Sequence, residues 1–199
     1  MTIIIASDNV KKVQELQSIL GESNISTVLQ SQFNIASVAE TGLTFVENAI
    51  LKARNASEHS KIPAIADDSG LEVDALSRRP GIYSARFAGP NAKDSDNIAK
   101  LLLELREIPE IERTARFQCV MVFLRDKDDP TPIICQGTWK GRITLASDGE
   151  NGFGYDPIFW VPDYNCTAAQ LSSEEKNKIS HRAQALRALV IALKKEFNL

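Results

Sequence analysis

The amino-acid sequence predicts an α/β fold in one domain. It has 199 residues, of which 43% are hydrophobic. This length is enough for one substantial core and too short to require two independent domains. Short apolar runs typical of buried strands alternate with segments in which apolar residues recur at helical spacing. We therefore assign residues 1–199 to a single domain, within which two lobes can be accommodated.

The charge distribution and the cysteines restrict the class of function. The net charge is −3, and Lys and Arg are scattered among Asp and Glu, so neither a nucleic-acid surface nor a membrane surface is predicted. No apolar stretch has the length of a membrane span, and residues 2–6 are too short for a signal peptide, so we expect a cytoplasmic protein. Cys119, Cys135 and Cys166 match neither a disulfide framework nor a zinc pattern, which predicts reduced thiols.

The chain opens with a strand, a turn and a helix. Residues 3–6 form the strand, and the apolar residues that follow recur at helical spacing: Val10, Val13, Leu16, Ile19 and Leu20. Ser7 and Asn9 therefore lie at a helix N-terminus, where free N–H groups and the helix dipole attract anions. Lys11 and Lys12 are unfavourable at that end unless an anion such as phosphate binds there. The alternative is a solvated helix with an Asp or Asn cap.

A second helix is predicted after a polar, strand-like stretch at residues 26–38. Thr44 and Glu47 have the spacing of a capping box, so Glu47 can be purely structural. Glu40 lies in the loop before the cap, where no structural role is evident. It is therefore a candidate carboxylate ligand for a metal ion.

Residues 62–70 form a short apolar run that ends in two carboxylates, a hydroxyl and a glycine. Ala64 to Ala66 read as a buried strand that ends in Asp67, Asp68, Ser69 and Gly70. Side chains alternate along a strand, so the two aspartates should face opposite sides, and we assign Asp68 to a cleft. Gly70 is expected to allow a sharp turn, and such carboxylates suit Mg²⁺. The alternative is an Asx-turn in which Asp68 caps its own backbone.

The middle of the chain contains a candidate ligand loop, a helix and a hairpin. Residues 78–89 combine arginines, aromatics and glycines, a composition suited either to covering a ligand or to an ordinary surface loop. Residues 97–106 have the spacing of a core-facing helix. Residues 116–124 and 132–139 are strand-like and joined by a polar loop, which predicts an antiparallel hairpin whose second strand can extend through residues 141–143.

Three glycines surround two aromatic residues at positions 149–156. Glycine permits close approach of the backbone to a ligand, and Phe153 or Tyr155 could stack on a planar base. The alternative is a turn whose aromatic rings lie in the core. The remaining chain is helical, with a capping box at residues 172–175, Lys176 in the first turn, and His181 and Arg182 at the start of the last helix. These last three are candidates for a polar or anionic ligand.

Together these features describe a metal-bound phosphate site beside a pocket for a base. The sequence resembles the inosine triphosphate pyrophosphatase family, in its bacterial branch that acts on dITP and XTP. Six motifs carry the resemblance, in order from about residue 3 to residue 193: SDNVKK at 7–12, ETGLTFVENA at 40–49, ADDSGL at 66–71, PGIYSAR at 80–86, GFGYDP at 152–157 and SHR at 180–182. There is no Walker-type loop and no dinucleotide fingerprint.

The resemblance implies an elongated α/β fold, with a mixed sheet flanked by helices and two lobes around a central active-site cleft. It implies a homodimer and Mg²⁺-dependent hydrolysis of aberrant purine nucleoside triphosphates to the monophosphate and pyrophosphate. ITP, dITP, XTP and dXTP are the expected substrates. Their removal would cleanse the nucleotide pool and prevent their incorporation into DNA and RNA.

The resemblance also assigns individual residues. Asp68 would be the catalytic carboxylate and a metal ligand, and Glu40 a further metal ligand. The substrate contacts would be Ser7, Asp8, Asn9, Val10, Lys11 and Lys12 for the triphosphate, Ser69, and, on the nucleoside side, Phe153, Gly154, Tyr155, Asp156, Lys176, His181 and Arg182. Asp8 departs from the small residue common in the family, and a carboxylate there would repel phosphate, so it is expected to turn outward or to cap the helix.

Two other functions share part of this pattern. A pyrophosphatase directed at pyrimidine or modified nucleotides would use the same chemistry on another base. A nucleotide-binding sensor without hydrolysis would keep the lysines and the aromatic pocket, but it would have little use for Glu40 and Asp68 together.

Overall fold

The structure, a computed structural model, describes residues 2–20 and 25–198 and confirms the α/β class. Its helices are α1 (Val10–Leu20), α2 (Phe45–Ser60), α3 (Asp94–Glu104), α4 (Ser173–Ile179) and α5 (His181–Phe197). Its strands are β1 (Thr2–Ile5), β2 (Ser26–Leu29), β3 (Ala64–Val73), β4 (Thr114–Leu124), β5 (Ile133–Ile143), β6 (Phe159–Val161) and β7 (Cys166–Thr167). Within the described ranges, no helix is both long and apolar enough to cross a membrane.

The strands form one mixed sheet, as predicted. Their order is β2-β1-β3-β4-β5-β6-β7. Strand β1 runs parallel to both β2 and β3, whereas β5 with β6 and β6 with β7 are antiparallel pairs. Strands β4 and β5 are neighbours joined by a short loop, which places the predicted hairpin in the sheet, and β5 extends through Ile143.

The chain divides into two compact units. Unit 1 comprises Met1–Asp68, Cys119–Gly137 and His181–Leu199. Unit 2 comprises Ser69–Gln118 and Thr138–Ser180. The assignment of residues 1–199 to a single domain stays a prediction.

Unit 1 has a hydrophobic cluster on each face of strand β1, because side chains alternate along a strand. Ile3 and Ile5 pack in a cluster that contains Leu16 of α1 and Leu186 of α5. Ile4 belongs to the other cluster, which contains Ala49, Ala53 and Ala56 of α2. Helices α1 and α5 thus cover one face and α2 the other.

Unit 2 is built around an aromatic core. The rings of Phe117 and Phe159 have centroids 4.5 Å apart, and Trp139 lies 5.2 Å from Phe159. Leu101 and Leu105, from α3 and the residue after it, belong to the same cluster, as does Tyr155.

Several predicted elements differ from the structure. Strands β6 and β7 lie within residues 159–167, where only helix was predicted, and helix α3 ends at Glu104 rather than at residue 106. Strand β2 ends at Leu29 and a 3-10 helix follows, so residues 26–38 are not one strand. Helix α3 begins at Asp94 rather than at residue 97. Asp96, in the first turn, accepts a hydrogen bond of 2.8 Å from the N–H of the N-cap residue Lys93, which stabilises this earlier start. Strand β3 continues through Gly70, where a turn was expected. Leu71 and Val73 are fully buried beyond it, so packing keeps the chain extended.

Helix α5 packs closely against the backbone of Gly137 in unit 1, and a substitution at this glycine tests that packing. A Cβ atom at this position would overlap the His181 carbonyl oxygen and approach Ala185 N at 2.7 Å. We expect Gly137→Ala to cost about 1–3 kcal/mol through overpacking, which is about 2–4 °C in Tm per kcal/mol for a chain of this size. Thermal unfolding followed by circular dichroism measures this. Gln136→Ala, at the exposed neighbouring position, is the control, and equal Tm values for the two variants would contradict the close seating.

Candidate active site

The alternation of side chains on β3 separates the two aspartates. Ile65 belongs to the cluster under α1 and α5, whereas Ala64 and Ala66 belong to the cluster under α2. Asp67 consequently faces α1 and α5, and Asp68 faces α2, as their partners show. The prediction that they face opposite sides is confirmed, but they lie in the middle of β3 rather than at its end.

Asp67 forms the centre of a buried ionic network. Its Oδ2 accepts a hydrogen bond of 3.0 Å from Lys12 Nζ and lies 3.5 Å from Arg182 Nε. Arg182 also pairs with Glu15 of α1. Arg182 is only 2% exposed and Asp67 only 1%. This network fixes Lys12 at the start of α1.

Electrostatics keep Asp67 ionised. Burial alone would raise the pKa of Asp67, but the positive charges of Lys12, Arg182 and Lys52 outweigh it and hold that pKa well below its usual value. The same network raises the pKa of Arg182 despite its burial. Cys119 is fully buried in the hydrophobic cluster that contains Ile65. Burial together with the charge of Asp67 raises the pKa of its thiol to about 12, so this cysteine is unreactive at neutral pH.

Asp68 belongs to a second group, formed with α2 and the loop before it. Its Oδ2 accepts a hydrogen bond of 3.1 Å from Asn48 Nδ2, and its Oδ1 lies 3.5 Å from Lys52 Nζ. Lys52 Nζ in turn lies 2.9 Å from Glu40 Oε1. Asn48 is fully buried, and its Oδ1 accepts from the Gly42 N–H at 2.8 Å. Since that N–H can only donate, the amide of Asn48 has one orientation, with its NH₂ toward Asp68.

The pKa of Asp68 is shifted opposite to that of Asp67. Burial raises the pKa of Asp68 and the nearby charge of Glu40 adds to this, while Lys52, Lys12 and Asn48 counteract it only in part. The pKa of Lys52 is raised, since Asp67, Asp68 and Glu40 outweigh its burial. A carboxylate with a raised pKa is a better proton acceptor than an ordinary aspartate.

The predicted phosphate segment lies at the exposed start of α1. The Asn9 side chain caps the helix, accepting a hydrogen bond of 3.1 Å from the Lys12 N–H, and the Asn9 N–H donates to Ser7 Oγ at 3.3 Å. The carboxylate of Asp8 accepts hydrogen bonds from Gln30 and Ser37, which directs it toward those residues. Val10 and Lys11 are exposed.

The oxygen ligands present in unit 1 fit a divalent metal that is shared with a substrate. Glu40 and Asp68 both approach one cationic group, the Lys52 ammonium. No cluster of three or more His, Cys, Asp or Glu side chains suited to a metal occurs in residues 2–20 and 25–198. Mg²⁺ commonly takes only one or two protein carboxylates and completes its coordination with water and phosphate oxygens.

Unit 2 contains the candidate nucleoside residues Phe153, Asp156 and Lys176. Lys176 Nζ donates to Asp156 Oδ2 at 2.6 Å and lies 4.8 Å from the centroid of the half-buried Phe153 ring. Asp156 Oδ2 also accepts from the Phe153 N–H at 2.9 Å. A Cβ at Gly152, where φ is +75°, would overlap the Asp156 carboxylate, so only glycine allows this turn.

The two aromatic residues of this loop differ. Tyr155 is 4% exposed, and its OH donates to the Ser84 carbonyl at 2.9 Å, so its ring belongs to the core and cannot stack on a ligand. Of the two aromatic residues in this loop, the half-buried Phe153 is therefore the candidate for stacking on a base. Ser69 is half-buried on β3 directly after Asp68, and His181 is buried at the first position of α5.

Sequence reasoning missed Asn48 and Lys52. Both lie on α2, four residues apart and therefore on one helix face. Besides Asn48, the buried residues of that helix are mostly alanines, so the polar Asn48 with a half-buried lysine one turn further along was the available signal.

The fold and site define a class: an α/β protein with a mixed sheet and a lysine and carboxylate site suited to a phosphorylated ligand. The Ham1 family model matches residues 3–192, and the chain belongs to this family.

Named relatives and solved structures agree with this assignment. The dITP/XTP pyrophosphatase of Photobacterium profundum is 54% identical over 192 residues, 96% of this chain and 98% of that protein. That of Vibrio cholerae is 52% identical over 194 residues, 98% of this chain and 97% of that protein. The structure of a HAM1 protein from Coxiella burnetii is 46% identical with a TM-score of 0.92, covering 98% of this chain and 99% of that chain. The resemblance seen in the sequence is confirmed.

Proposed function

We propose that the protein hydrolyses aberrant purine nucleoside triphosphates, ITP, dITP, XTP and dXTP, to the monophosphate and pyrophosphate, which cleanses the nucleotide pool. The reaction is supported by one observation above all: Glu40 and the buried Asp68 converge on a single cationic group in unit 1. The substrates are supported by relatives that carry the name dITP/XTP pyrophosphatase over nearly the whole chain.

In this proposal the start of α1 binds the triphosphate. Ser7, the backbone of residues 8–10 and the N–H groups of the helix N-terminus would bind phosphate oxygens, with Lys11 and Lys12 supplying positive charge. Lys12 is held in place by Asp67. The negative charge that develops on the pyrophosphate leaving group would be stabilised by these lysines.

Asp68 is assigned the role of general base. It would orient a water molecule and accept its proton as the water oxygen bonds to the α-phosphorus and the bond to the bridging oxygen of pyrophosphate breaks. Its raised pKa suits this role. Glu40 and Asp68 would hold a divalent cation, proposed to be Mg²⁺, which neutralises phosphate charge when bound. Ser69, next on the strand, is proposed as a substrate contact.

The nucleoside side is assigned to Phe153, Gly154, Tyr155, Asp156 and Lys176, with His181 and Arg182. Phe153 would stack on the base, and Tyr155 contributes through its backbone, since its ring is buried. Arg182 acts through Asp67, to which it is paired. A donor aimed at a 6-oxo group would disfavour adenine by about 1–3 kcal/mol, since the adenine amino group would leave it unpaired. A homodimer is part of the proposal and is checked by sedimentation velocity.

The deciding experiment measures pyrophosphate release from ITP, XTP, GTP, ATP and dTTP, each with Mg²⁺ and with EDTA. We expect metal-dependent release from ITP and XTP that is far above release from GTP and ATP. Cleavage of dTTP instead would favour a pyrophosphatase directed at pyrimidines. Tight binding of ITP without any hydrolysis would favour a sensor and overturn the proposal.

A further inference from the structure

We propose that Asp94 is a positioning residue of the nucleoside side: its carboxylate fixes the loop of residues 152–156 and thereby aims the Phe153 ring at the base. This inference rests on the proposed function, in which Phe153 stacks on the base. Neither the sequence motifs nor the candidate site included Asp94.

The contact joins a helix to the loop within unit 2. Asp94 is the first residue of α3, and its Oδ2 accepts a hydrogen bond of 2.7 Å from the Gly154 N–H. A hydrogen bond from a backbone N–H to a carboxylate is charge-assisted and stronger than a neutral one. Gly154 is the neighbour of Phe153 in the chain, so this bond restrains the backbone beside the ring.

Helix α3 is a rigid support for Asp94. Leu101 is fully buried in the aromatic core of unit 2. Asn97 is buried and bridges the segment before the helix, accepting from the Ala88 N–H at 2.8 Å and donating to the Ala85 carbonyl at 3.2 Å. Asp94 therefore projects from an element whose position is fixed by packing.

The loop needs such restraints. Gly152 and Gly154 both have positive φ, +75° and +62°, and glycine loses more conformational freedom on ordering than any other residue. Asp156 binds the Phe153 N–H, and Tyr155 binds Ser84 through its OH. Asp94 binds the Gly154 N–H between them, so three consecutive residues are each held by a different partner.

The helix itself supplies a matched control. Asp96 lies in the same first turn and carries the same charge, but its carboxylate caps the Lys93 N–H instead of reaching the loop. A role of Asp94 limited to the helix dipole would be shared by Asp96. A role in positioning Phe153 would distinguish Asp94, which accepts from the Gly154 N–H, from Asp96.

The test compares Asp94→Ala, Asp94→Asn and Asp96→Ala, each with and without Phe153→Ala, by steady-state hydrolysis of ITP. For Asp94→Ala we expect KM to rise on the order of tenfold, the effect of losing one charge-assisted hydrogen bond, with kcat within about twofold. Asp94→Asn keeps an acceptor oxygen and should recover most of the loss. In the Phe153→Ala background, Asp94→Ala should have no further effect, because the two residues act as one unit.

Three results would overturn the proposal: an equal rise in KM for Asp96→Ala, an undiminished effect of Asp94→Ala in the Phe153→Ala background, or an unchanged KM. Should Asp94→Ala not fold, Asp94→Ser carries the test with the same expected rise in KM, because its shorter side chain does not reach the Gly154 N–H. Calorimetric titration with ITP in EDTA measures the weaker binding expected for Asp94→Ala directly, without hydrolysis. Failure of the proposed hydrolysis would then be distinguishable, since wild type would bind ITP without cleaving it.

Discussion

Replacing Asp68 with Asn is expected to lower kcat for ITP about 10²–10⁴-fold, the usual contribution of a positioned general base. Asparagine has the same shape and can still accept the hydrogen bond from Asn48, but it cannot accept a proton. Binding of the nucleotide should stay measurable, because Lys12 at the start of α1 is held by Asp67, which this substitution leaves in place. Pyrophosphate release and calorimetric ITP titration check the two halves of this expectation.

The stability of the same variant is the internal control. The pKa of Asp68 is raised in the folded protein, so ionising this group costs folding free energy above its folded pKa, and the cost disappears as the pH falls through that pKa. Asparagine does not ionise, so the Asp68→Asn variant does not bear this cost. We therefore expect the Tm of this variant at pH 7 to equal or exceed that of wild type. Near-normal turnover in a well-folded Asp68→Asn protein would remove Asp68 from the catalytic role.

Local patterns in the sequence predicted local structure well. The spacing of Thr44 and Glu47 predicted the capping box, and Glu47 accepts from the Thr44 N–H at 2.8 Å as expected. The alternation rule separated Asp67 from Asp68 without any knowledge of their partners. Such predictions succeed because the interacting residues are a few positions apart or on one strand.

Predictions that depend on distant residues were less complete. Gly70 reads as a turn when considered alone, but the buried Leu71 and Val73 keep it in a strand. Lys52 looks like an ordinary polar residue of α2, yet it lies between Glu40 and Asp68. Arg182 is predicted as a ligand contact, and the sequence does not indicate that its guanidinium also lies against Asp67, more than a hundred positions away. Spacing along the chain contains no signal for such pairs.

Asp67→Asn is expected to have the opposite effect on stability from Asp68→Asn. Asp67 is paired with Lys12 and lies beside the buried Arg182, and removing one partner of a buried ion pair usually costs about 3–5 kcal/mol, because a charge is left uncompensated. For a chain of this size each kcal/mol lowers Tm by about 2–4 °C. Adjacent residues with the same substitution should thus diverge clearly in thermal unfolding.

The loss of stability in Asp67→Asn should depend on pH in a defined direction. The pKa of Asp67 is lowered in the folded protein, so its stabilisation is fully present above the unfolded pKa, about 3.9, and is lost as the pH falls through the lower folded pKa. The deficit of Asp67→Asn should accordingly be constant from pH 8 to about pH 5 and shrink below about pH 4. Urea unfolding at several pH values measures it. A deficit that grew on acidification would show that Lys12 and Arg182 do not stabilise the ionised carboxylate, and that burial dominates at Asp67 as it does at Asp68.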